Sequence, residues 1–234
     1  MNTELLYMKN MSQIQCSSKI VDHHQDGDKT ILVLNQTIFY PQGGGQPYDT
    51  GSIKSRDGNL VFRVQEVRFI DGVVHHIGVI ENGDLSIGME VNCFVDEDRR
   101  RLNTRIHSAG HLIDMALKEL NIDWTPGKGY HFPQGAYVEY HGKIDGLDIE
   151  KLKTKIEKKC NEIISRNIET KIVFDENKLQ NGKQMRTVFY GEYGIPCEGT
   201  HVSNLKEIIS SGIRKIKKEK DAIRVSYSIG KQYT

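Results

Sequence analysis

The sequence lacks long apolar runs and an excess of charge of either sign. Its 234 residues carry 32 Lys and Arg against 31 Asp and Glu, so the net charge is +1 and any nucleic-acid site must come from local clusters. No apolar stretch approaches the roughly 20 residues of a membrane-spanning helix. The first residues show neither the basic nor the apolar region of a signal peptide. We therefore expect a cytoplasmic protein without a membrane partner.

Cysteine is also scarce. The four cysteines are scattered, at positions Cys16, Cys93, Cys160 and Cys197. This usage is typical of a reducing compartment rather than of a disulfide scaffold. One of them, Cys197, lies in a motif of the kind that binds metals.

Residues 1–95 contain short β signals and no helical periodicity. Strands are predicted over residues 31–34, 37–40, 60–64, 66–70, 73–77 and 91–95. Asp71-Gly72 between two of them indicates a tight hairpin. Several short strands at this spacing indicate a small barrel or a sandwich.

A glycine-rich segment spans residues 39–51 and includes Gly43-Gly44-Gly45. Consecutive glycines allow positive φ or a close approach of the backbone to a partner. On composition alone a long β-turn is the simpler interpretation. No Gly-Lys-Ser/Thr follows, so the segment is not a phosphate loop. Two pairs of adjacent histidines, His23-His24 and His75-His76, are interpreted as surface or locally hydrogen-bonded residues, because neighbours on a strand point to opposite faces.

A helix is predicted after the acidic cluster 96–98, ending near Asn121. Its apolar stripe consists of Leu102, Ile106, Ala109, Ile113, Leu117 and Leu120. His107 and His111 lie away from the middle of that stripe, one turn apart, so both rings project to one side and can share a metal. Ser108 stands where a zinc protease has its general-base Glu, which excludes that chemistry.

The same helix carries a run of arginines at Arg99, Arg100, Arg101 and Arg105. A solvated helix face explains such a run as well as a phosphate-binding patch does. We retain Arg99, Arg100 and Arg101 as candidate substrate-binding residues.

Residues 96–234 read as an α+β domain. After a glycine-rich turn at 124–130, the expected elements are a strand at 136–140, a helix burying Cys160, strands at 171–174 and 186–190, a loop at 191–196 and a final strand at 223–229. His131 and His141 flank the first of these strands. They are candidate pocket residues, although structural roles are the first expectation.

The loop at 191–196 leads into Cys197-Glu198-Gly199-Thr200-His201. Together with His107 and His111 it supplies imidazoles and a thiolate, the donors that Zn²⁺ prefers. A structural zinc would use all four ligands, whereas a catalytic zinc needs an open position. His201 is our candidate for the weakest ligand. Without the protease Glu, an ester is a better substrate than an amide.

Three motifs in order carry a family resemblance. They are Gly44-Gly45-Gln46 with Asp49-Thr50-Gly51, then H-x-x-x-H at 107–111, and C-x-G-T-H-V at 197–202. With them the chain resembles the alanyl-tRNA editing proteins of the AlaX type, in their medium-length form, and the editing domain of alanyl-tRNA synthetase.

The resemblance implies an α+β fold, with a small β-barrel over residues 1–95 followed by a zinc-containing editing domain over 96–234. It implies a free-standing, ATP-independent hydrolase, here expected as a monomer, that deacylates tRNA(Ala) mischarged with serine or glycine. Zn²⁺ would be bound by His107, His111, Cys197 and His201, with no catalytic side chain assigned beyond the zinc-bound water. Gly44, Gly45 and Gln46 would reach over the pocket, with Gln46 near the aminoacyl end.

The sequence departs from the family at two positions. Gly110 stands where many synthetase editing domains have Thr, so rejection of alanine rests on other groups. Glu198 stands where Gly is frequent. Other functions stay open: a zinc-stabilised RNA-binding module without catalysis, a hydrolase for small esters, and editing of another tRNA such as Ser-tRNA(Thr).

Overall fold

The structure, a computed structural model, describes residues 2–180 and 183–230, except for the side chains of 176–180 and 183. Met1 and residues 231–234, at the ends of the two expected domains, lie outside this description. The strands are β1 (Glu4–Leu5), β2 (Gln15–Asp26), β3 (Lys29–Leu34), β4 (Gln36–Thr37), β5 (Gly51–Ser55), β6 (Val61–Ile70), β7 (Val73–Asn82), β8 (Glu90–Val95), β9 (Thr125–Tyr130), β10 (Tyr137–His141), β11 (Thr170–Gln180), β12 (Lys183–Tyr190), β13 (Tyr193–Pro196), β14 (Ser211–Glu219) and β15 (Ala222–Ile229). The helices are α1 (Leu6–Lys9), α2 (Glu97–Glu119), α3 (Ile149–Ser165) and a 3₁₀ turn at Leu205–Ile208.

Six strands of the first part close into a barrel in the order β2-β3-β7-β6-β5-β8. Alternate residues of these strands point inwards, as the pleat requires, and form one apolar core that includes Leu32, Phe62 and Val91. Asp71 and Gly72 both have positive φ at the β6–β7 hairpin, as the tight turn demands. The predicted barrel is therefore confirmed.

Several predicted strands have other boundaries. The run at 37–40 is strand only in β4, and the two runs at 60–70 form one strand, β6, with a bulge between Val64 and Glu66. Strands β2 and β5 were not predicted. Much of β2 is exposed, so its sequence lacks the apolar enrichment on which strand prediction depends.

The histidine pairs lie on barrel strands. His24 is exposed on β2, whereas His76 on β7 is fully buried. His76 Nε2 lies 2.8 Å from Thr37 Oγ1, and its Nδ1 lies 3.0 Å from the Leu32 carbonyl oxygen. Hydrogen bonds to residues of neighbouring strands therefore account for the buried histidine, His76.

Helix α2 begins at Glu97, within the acidic cluster 96–98 that predicted its start. The Asp96 side chain caps it by accepting a hydrogen bond from the Arg99 N–H, and the helix ends at Glu119. Apart from the partly exposed His111, α2 is buried on all sides from Asn103 to Leu117, where α3, the 3₁₀ turn and strand β15 pack against it. Leu102, predicted to lie in the buried stripe, is instead 39% exposed.

A four-stranded sheet, in the order β14-β15-β10-β9, packs with α3 around α2. Cys160 on α3 is buried in this core as predicted. Two segments predicted as turn and loop, 124–130 and 191–196, instead contribute the strands β9 and β13. Their glycines and prolines are tolerated because both strands lie at sheet edges.

The described residues are thus mainly β, with two long helices, α2 and α3. Within ranges 2–180 and 183–230, no helix combines the length and apolar composition needed to cross a membrane.

Candidate metal centre and adjoining pocket

The structure brings together the four predicted metal ligands. His107 and His111 project from successive turns of α2, and Cys197 and His201 come from the segment after β13. One donor atom from each lies within 4.8 Å of every other. The Cys197 Sγ atom lies 3.4 Å from His107 Nε2 and 3.2 Å from His201 Nε2. This His/Cys group can bind a metal ion.

Two of the imidazoles are hydrogen-bonded through Nδ1 to acceptors outside the cluster. His107 Nδ1 donates to Gln46 Oε1 at 2.7 Å, and His111 Nδ1 donates to Asp114 Oδ2 at 3.1 Å. Asp114 also accepts from the Tyr140 hydroxyl at 2.7 Å. With Nδ1 occupied in this way, Nε2 of each ring is the atom left for the cluster. This outer arrangement is typical of metal-ligating histidines.

The third imidazole is held in the same way. His201 Nδ1 shares a 2.7 Å hydrogen bond with the Tyr190 hydroxyl, which leaves Nε2 beside Cys197. The Gly199 N–H donates to the sulfur at 3.4 Å. Gly199 is also required sterically, because a Cβ there would lie 2.0 Å from His107 Cε1.

The protonation states suit a metal site. Burial lowers the pKa of His107 and of His201 well below the ordinary histidine value, so both rings are neutral. Burial alone would raise the pKa of Cys197, but His111 and the Gly199 N–H outweigh it and lower that pKa. A cysteine with a lowered pKa beside two neutral imidazoles is the kind of donor set that Zn²⁺ prefers.

His111 gives a direct test of whether a cation fits. Its Nε2 atom is buried and, among the described residues, has no hydrogen-bond partner. Burial lowers the pKa of His111, yet Asp114 and Cys197 more than compensate and raise it to about 10. Positive charge is therefore favoured between this ring and the sulfur, and a Zn²⁺ ion bound there would replace the proton.

A buried arginine fixes the ligand-bearing segment. Arg186 on β12 is 2% exposed, and its Nε donates to the Cys197 carbonyl at 2.8 Å. Its two terminal nitrogens donate to the carbonyls of Gly199 and of Met8 at the N-terminal helix. The N-terminal segment and the metal ligands are thereby held in one arrangement.

A cavity of about 800 Å³ opens beside the cluster. It is lined by the ligands His107, His111 and Cys197, by Gly44 and Gly45, by strand β9, and by residues of β12 and β13 together with Glu198. His201 lines a separate cavity of about 390 Å³ beside the first half of α2. The larger cavity thus reaches the cluster without passing His201.

The glycine-rich segment forms a tight turn at the cavity wall. Gly44 and Gly45 have φ of 53° and 77°, and Gly43 and Gln46 exchange backbone hydrogen bonds across them. A Cβ at Gly45 would lie 2.2 Å from the Gly129 carbonyl oxygen, so the turn docks closely on β9.

Gln46 is placed differently from what the resemblance implied. Gly44 and Gly45 line the cavity, but Gln46 is fully buried behind His107 and does not line it. Its Oε1 accepts from the Thr200 N–H at 3.0 Å as well as from His107, and its Nε2 donates to Thr200 Oγ1 at 2.8 Å. Gln46 therefore joins the barrel to both ligand segments.

The arginine run divides between surface and interior. Arg100 is 2% exposed and forms a buried ion pair with Asp49, while donating to the Ile38 carbonyl at 2.6 Å. Arg105 is also buried, against backbone carbonyls. Arg100 does not belong to a surface patch, because Asp49 neutralises its charge inside the protein. Arg101 is exposed and pairs with Glu97 at 3.8 Å.

Arg99, the remaining arginine of the run, is partly buried. Its Nε donates to the Tyr48 carbonyl at 2.9 Å, and its guanidinium lies over the Tyr48 ring.

Sequence reasoning missed the outer partners of the ligands. Asp114 stands three residues after His111, a helical spacing that would have indicated the contact. Of the two roles considered for His131, the pocket position, which was the second expectation, is the one observed: it lines the cavity and stacks on His107 with ring centroids 4.5 Å apart. Burial lowers the pKa of His131 to about 3.

One family model and several known proteins are similar to this chain. Residues 2–99, which contain the barrel, match the family model described as tRNA synthetases class II (A). The alanyl-tRNA editing protein AlaX-L of Pyrococcus horikoshii is 29% identical over 97% of this chain and 58% of its own length. Alanine–tRNA ligases of Anaeromyxobacter and Streptomyces avermitilis are 33% and 29% identical, over 81% and 82% of this chain.

The resemblance to alanyl-tRNA editing proteins and alanyl-tRNA synthetases is thereby confirmed. The chain spans 58% of the length of the editing protein and about a quarter of each ligase.

Proposed function

We propose that this protein is an aminoacyl-tRNA hydrolase that removes serine, and glycine as a second substrate, from mischarged tRNA(Ala). The observation that carries the proposal is the His/Cys cluster opening directly onto the 800 Å³ cavity. That volume lies within the range of small-ligand sites and suits a terminal adenosine with its aminoacyl group. Relatives named as alanyl-tRNA editing protein and alanine–tRNA ligase support the substrate class.

His107, His111, Cys197 and His201 would hold Zn²⁺, with His201 as the ligand that would give up its place to leave the position that catalysis needs. When bound, Zn²⁺ supplies Lewis-acid polarisation of the ester carbonyl and eases deprotonation of water. The protein orients the ligands through Gln46 and the other outer partners. An ester needs little further acid–base help, because its alcohol leaving group departs more readily than an amine.

The glycine-rich turn would bind the adenosine. Gly44 and Gly45 present backbone without side chains at the cavity wall, which allows a nucleoside to approach closely. In this proposal Gln46 acts through His107 rather than on the substrate. The barrel of residues 1–95 and the region 96–234 are proposed as two domains that share one site.

Arginines near the start of α2 would contact the tRNA backbone. Arg101, and Arg99 at the edge of α2, remain candidates, whereas Arg100 is left out because its charge is neutralised by Asp49. The need for a second hydrolytic site follows from the chemistry. A synthetase pocket sized for alanine cannot exclude glycine sterically, and it discriminates poorly against one added hydroxyl.

The test is deacylation of Ser-, Gly- and Ala-tRNA(Ala) by the wild-type protein and by Cys197→Ala and His107→Ala, with the exposed His24→Ala as control. We expect release of serine by the wild type and the control, and at least a hundredfold loss in each ligand variant. Absence of serine release by a zinc-loaded wild type would refute the hydrolase. tRNA binding without turnover would instead support an RNA-binding module with a structural zinc. Faster release from Ser-tRNA(Thr) would reassign the tRNA.

A further inference from the structure

His131 occupies a space that three glycines leave open. A Cβ at Gly110 would lie 2.5 Å from His131 Cε1, and one at Gly129 would lie 2.3 Å from its Nε2. A Cβ at Gly45 would lie 3.2 Å from Cδ2. The imidazole, 4% exposed, therefore forms the cavity wall where side chains on α2, β9 and the glycine-rich turn are missing.

The ring also lies beside the metal ligands. It stacks on His107 with an interplanar angle of 15°, and its centroid is 6.4 Å from that of His111. An aminoacyl group whose carbonyl lies at the cluster carries its side chain only a few bonds away. That side chain would lie within reach of His131.

The hydrogen-bond network assigns the tautomer of His131. The Tyr227 hydroxyl lies 2.9 Å from the Ile106 carbonyl oxygen. A carbonyl oxygen can only accept, so the hydroxyl donates its proton to it. The Tyr227 oxygen lies 2.6 Å from His131 Nδ1, and with its single proton already committed it accepts from that nitrogen. His131 Nε2 then carries a lone pair, and this atom makes no hydrogen bond with any described residue.

We propose that His131 determines which aminoacyl group is removed, because Nε2 accepts a hydrogen bond from the hydroxyl of a seryl group. This inference rests on the proposed function. An alanyl group offers only a methyl in its place, which would shut Nε2 off from water in the filled cavity without giving it a partner. One such loss corresponds to discrimination of about tenfold or more. The absence of a side chain at Gly110 is then what makes room for the selecting imidazole.

The variant that tests this is His131→Phe, which keeps an aromatic ring over His107 but removes both ring nitrogens, Nε2 included. We expect the ratio of kcat/KM for Ser-tRNA(Ala) over Ala-tRNA(Ala) to fall about tenfold or more, mainly through slower serine release. His24→Phe, an exposed ring substitution on the barrel, should leave the ratio unchanged. A wild-type ratio in His131→Phe, with unchanged zinc content, would overturn the proposal.

A second measurement separates this inference from the hydrolase itself. Adenosine bearing a non-hydrolysable 3′-serylamino or 3′-alanylamino group reports binding without turnover. The wild type should bind the seryl compound about tenfold more tightly, and His131→Phe should bind both alike. Equal binding of the two compounds by the wild type would refute selection by His131, whether or not the protein hydrolyses tRNA.

A third readout needs no variant, in case His131→Phe fails to fold. In wild-type protein labelled with ¹⁵N in histidine, His131 Nε2 should appear as an unprotonated nitrogen. Its resonance should shift with the serylamino compound and not with the alanylamino one. A protonated Nε2, or the same shift with both compounds, would contradict the proposal.

Discussion

Gln46 Oε1 and His107 Nδ1 are joined by a 2.7 Å hydrogen bond that connects the barrel to the metal centre. Both side chains are almost fully buried, and the same oxygen accepts from the Thr200 N–H. An oxygen that accepts from a backbone amide cannot belong to the donor end of the amide group. His107 therefore carries its proton on Nδ1, and Nε2 is left for a metal.

Gln46→Ala is expected to weaken zinc binding about 10- to 100-fold, because His107 loses the acceptor that fixes its ring. Affinity is measured by competition with a chromogenic chelator. Gln42→Ala removes an exposed glutamine from the same segment and should bind zinc like the wild type. Equal affinities for the two variants would show that Gln46 does not orient the ligand.

Gly199→Ala tests the steric requirement at the second motif. The added methyl would lie 2.0 Å from His107 Cε1 and 2.2 Å from its Nδ1, so the ring must leave its place. We expect purified Gly199→Ala to lack bound zinc and to lose the sulfur-to-metal absorption of the Co²⁺-substituted protein. Gly135→Ala, where a Cβ meets nothing within 4 Å, is the matched control. Full metal content in Gly199→Ala would show that the segment can shift.

The ligands were predictable from sequence because their contacts are largely local. His107 and His111 are one helical turn apart, and Cys197 and His201 share one short segment. The residues that hydrogen-bond to the ligands are set by tertiary structure. Gln46 and His107, for example, are 61 positions apart, and no helical or strand periodicity relates them. The same reason explains Arg100, whose partner Asp49 is 51 positions away. A surface charge and a buried ion pair look alike in a helical pattern.

The edge strands show a second limit of sequence reasoning. Strand β9 reads Thr-Pro-Gly-Lys-Gly-Tyr, a composition typical of turns, yet it pairs with β10. Its glycines are explained only by what packs on them, since Gly129 faces the His131 ring. Tertiary contact, rather than propensity, decides the conformation of such segments.

His76 predicts a pH dependence of stability. Burial lowers the pKa of this histidine to about 4, against about 6.5 in an unfolded chain. Between these values the unfolded state binds a proton that the folded state does not. The contribution of His76 to stability is therefore present above pH 6.5 and is lost as the pH falls towards 4, by on the order of 3 kcal/mol.

Urea unfolding at pH 7, 6 and 5 measures this loss. The wild type should lose stability on acidification more steeply than His76→Gln, which cannot titrate. His24→Gln removes an exposed histidine and should keep the wild-type slope. Identical slopes for all three proteins would exclude His76 as the source.

The last prediction separates two neighbouring arginines of α2. Arg100→Gln leaves Asp49 as a buried carboxylate without its partner, so we expect a loss of roughly 3–5 kcal/mol in the free energy of unfolding. Arg101→Gln removes an exposed side chain, one of whose contacts is the 3.8 Å ion pair with Glu97, and stability should fall by much less than in Arg100→Gln, by about 1 kcal/mol at most. Urea denaturation measures both changes.

Binding of tRNA should show the opposite order. If Arg101 contacts a phosphate, Arg101→Gln reduces the slope of log K against log salt by about one. The Arg100→Leu/Asp49→Leu double variant, which removes the buried pair without stranding a charge, should keep the wild-type slope. A reduced slope in that folded double variant would place Arg100 at the tRNA after all. An unchanged slope in Arg101→Gln would remove this end of α2 from the interface.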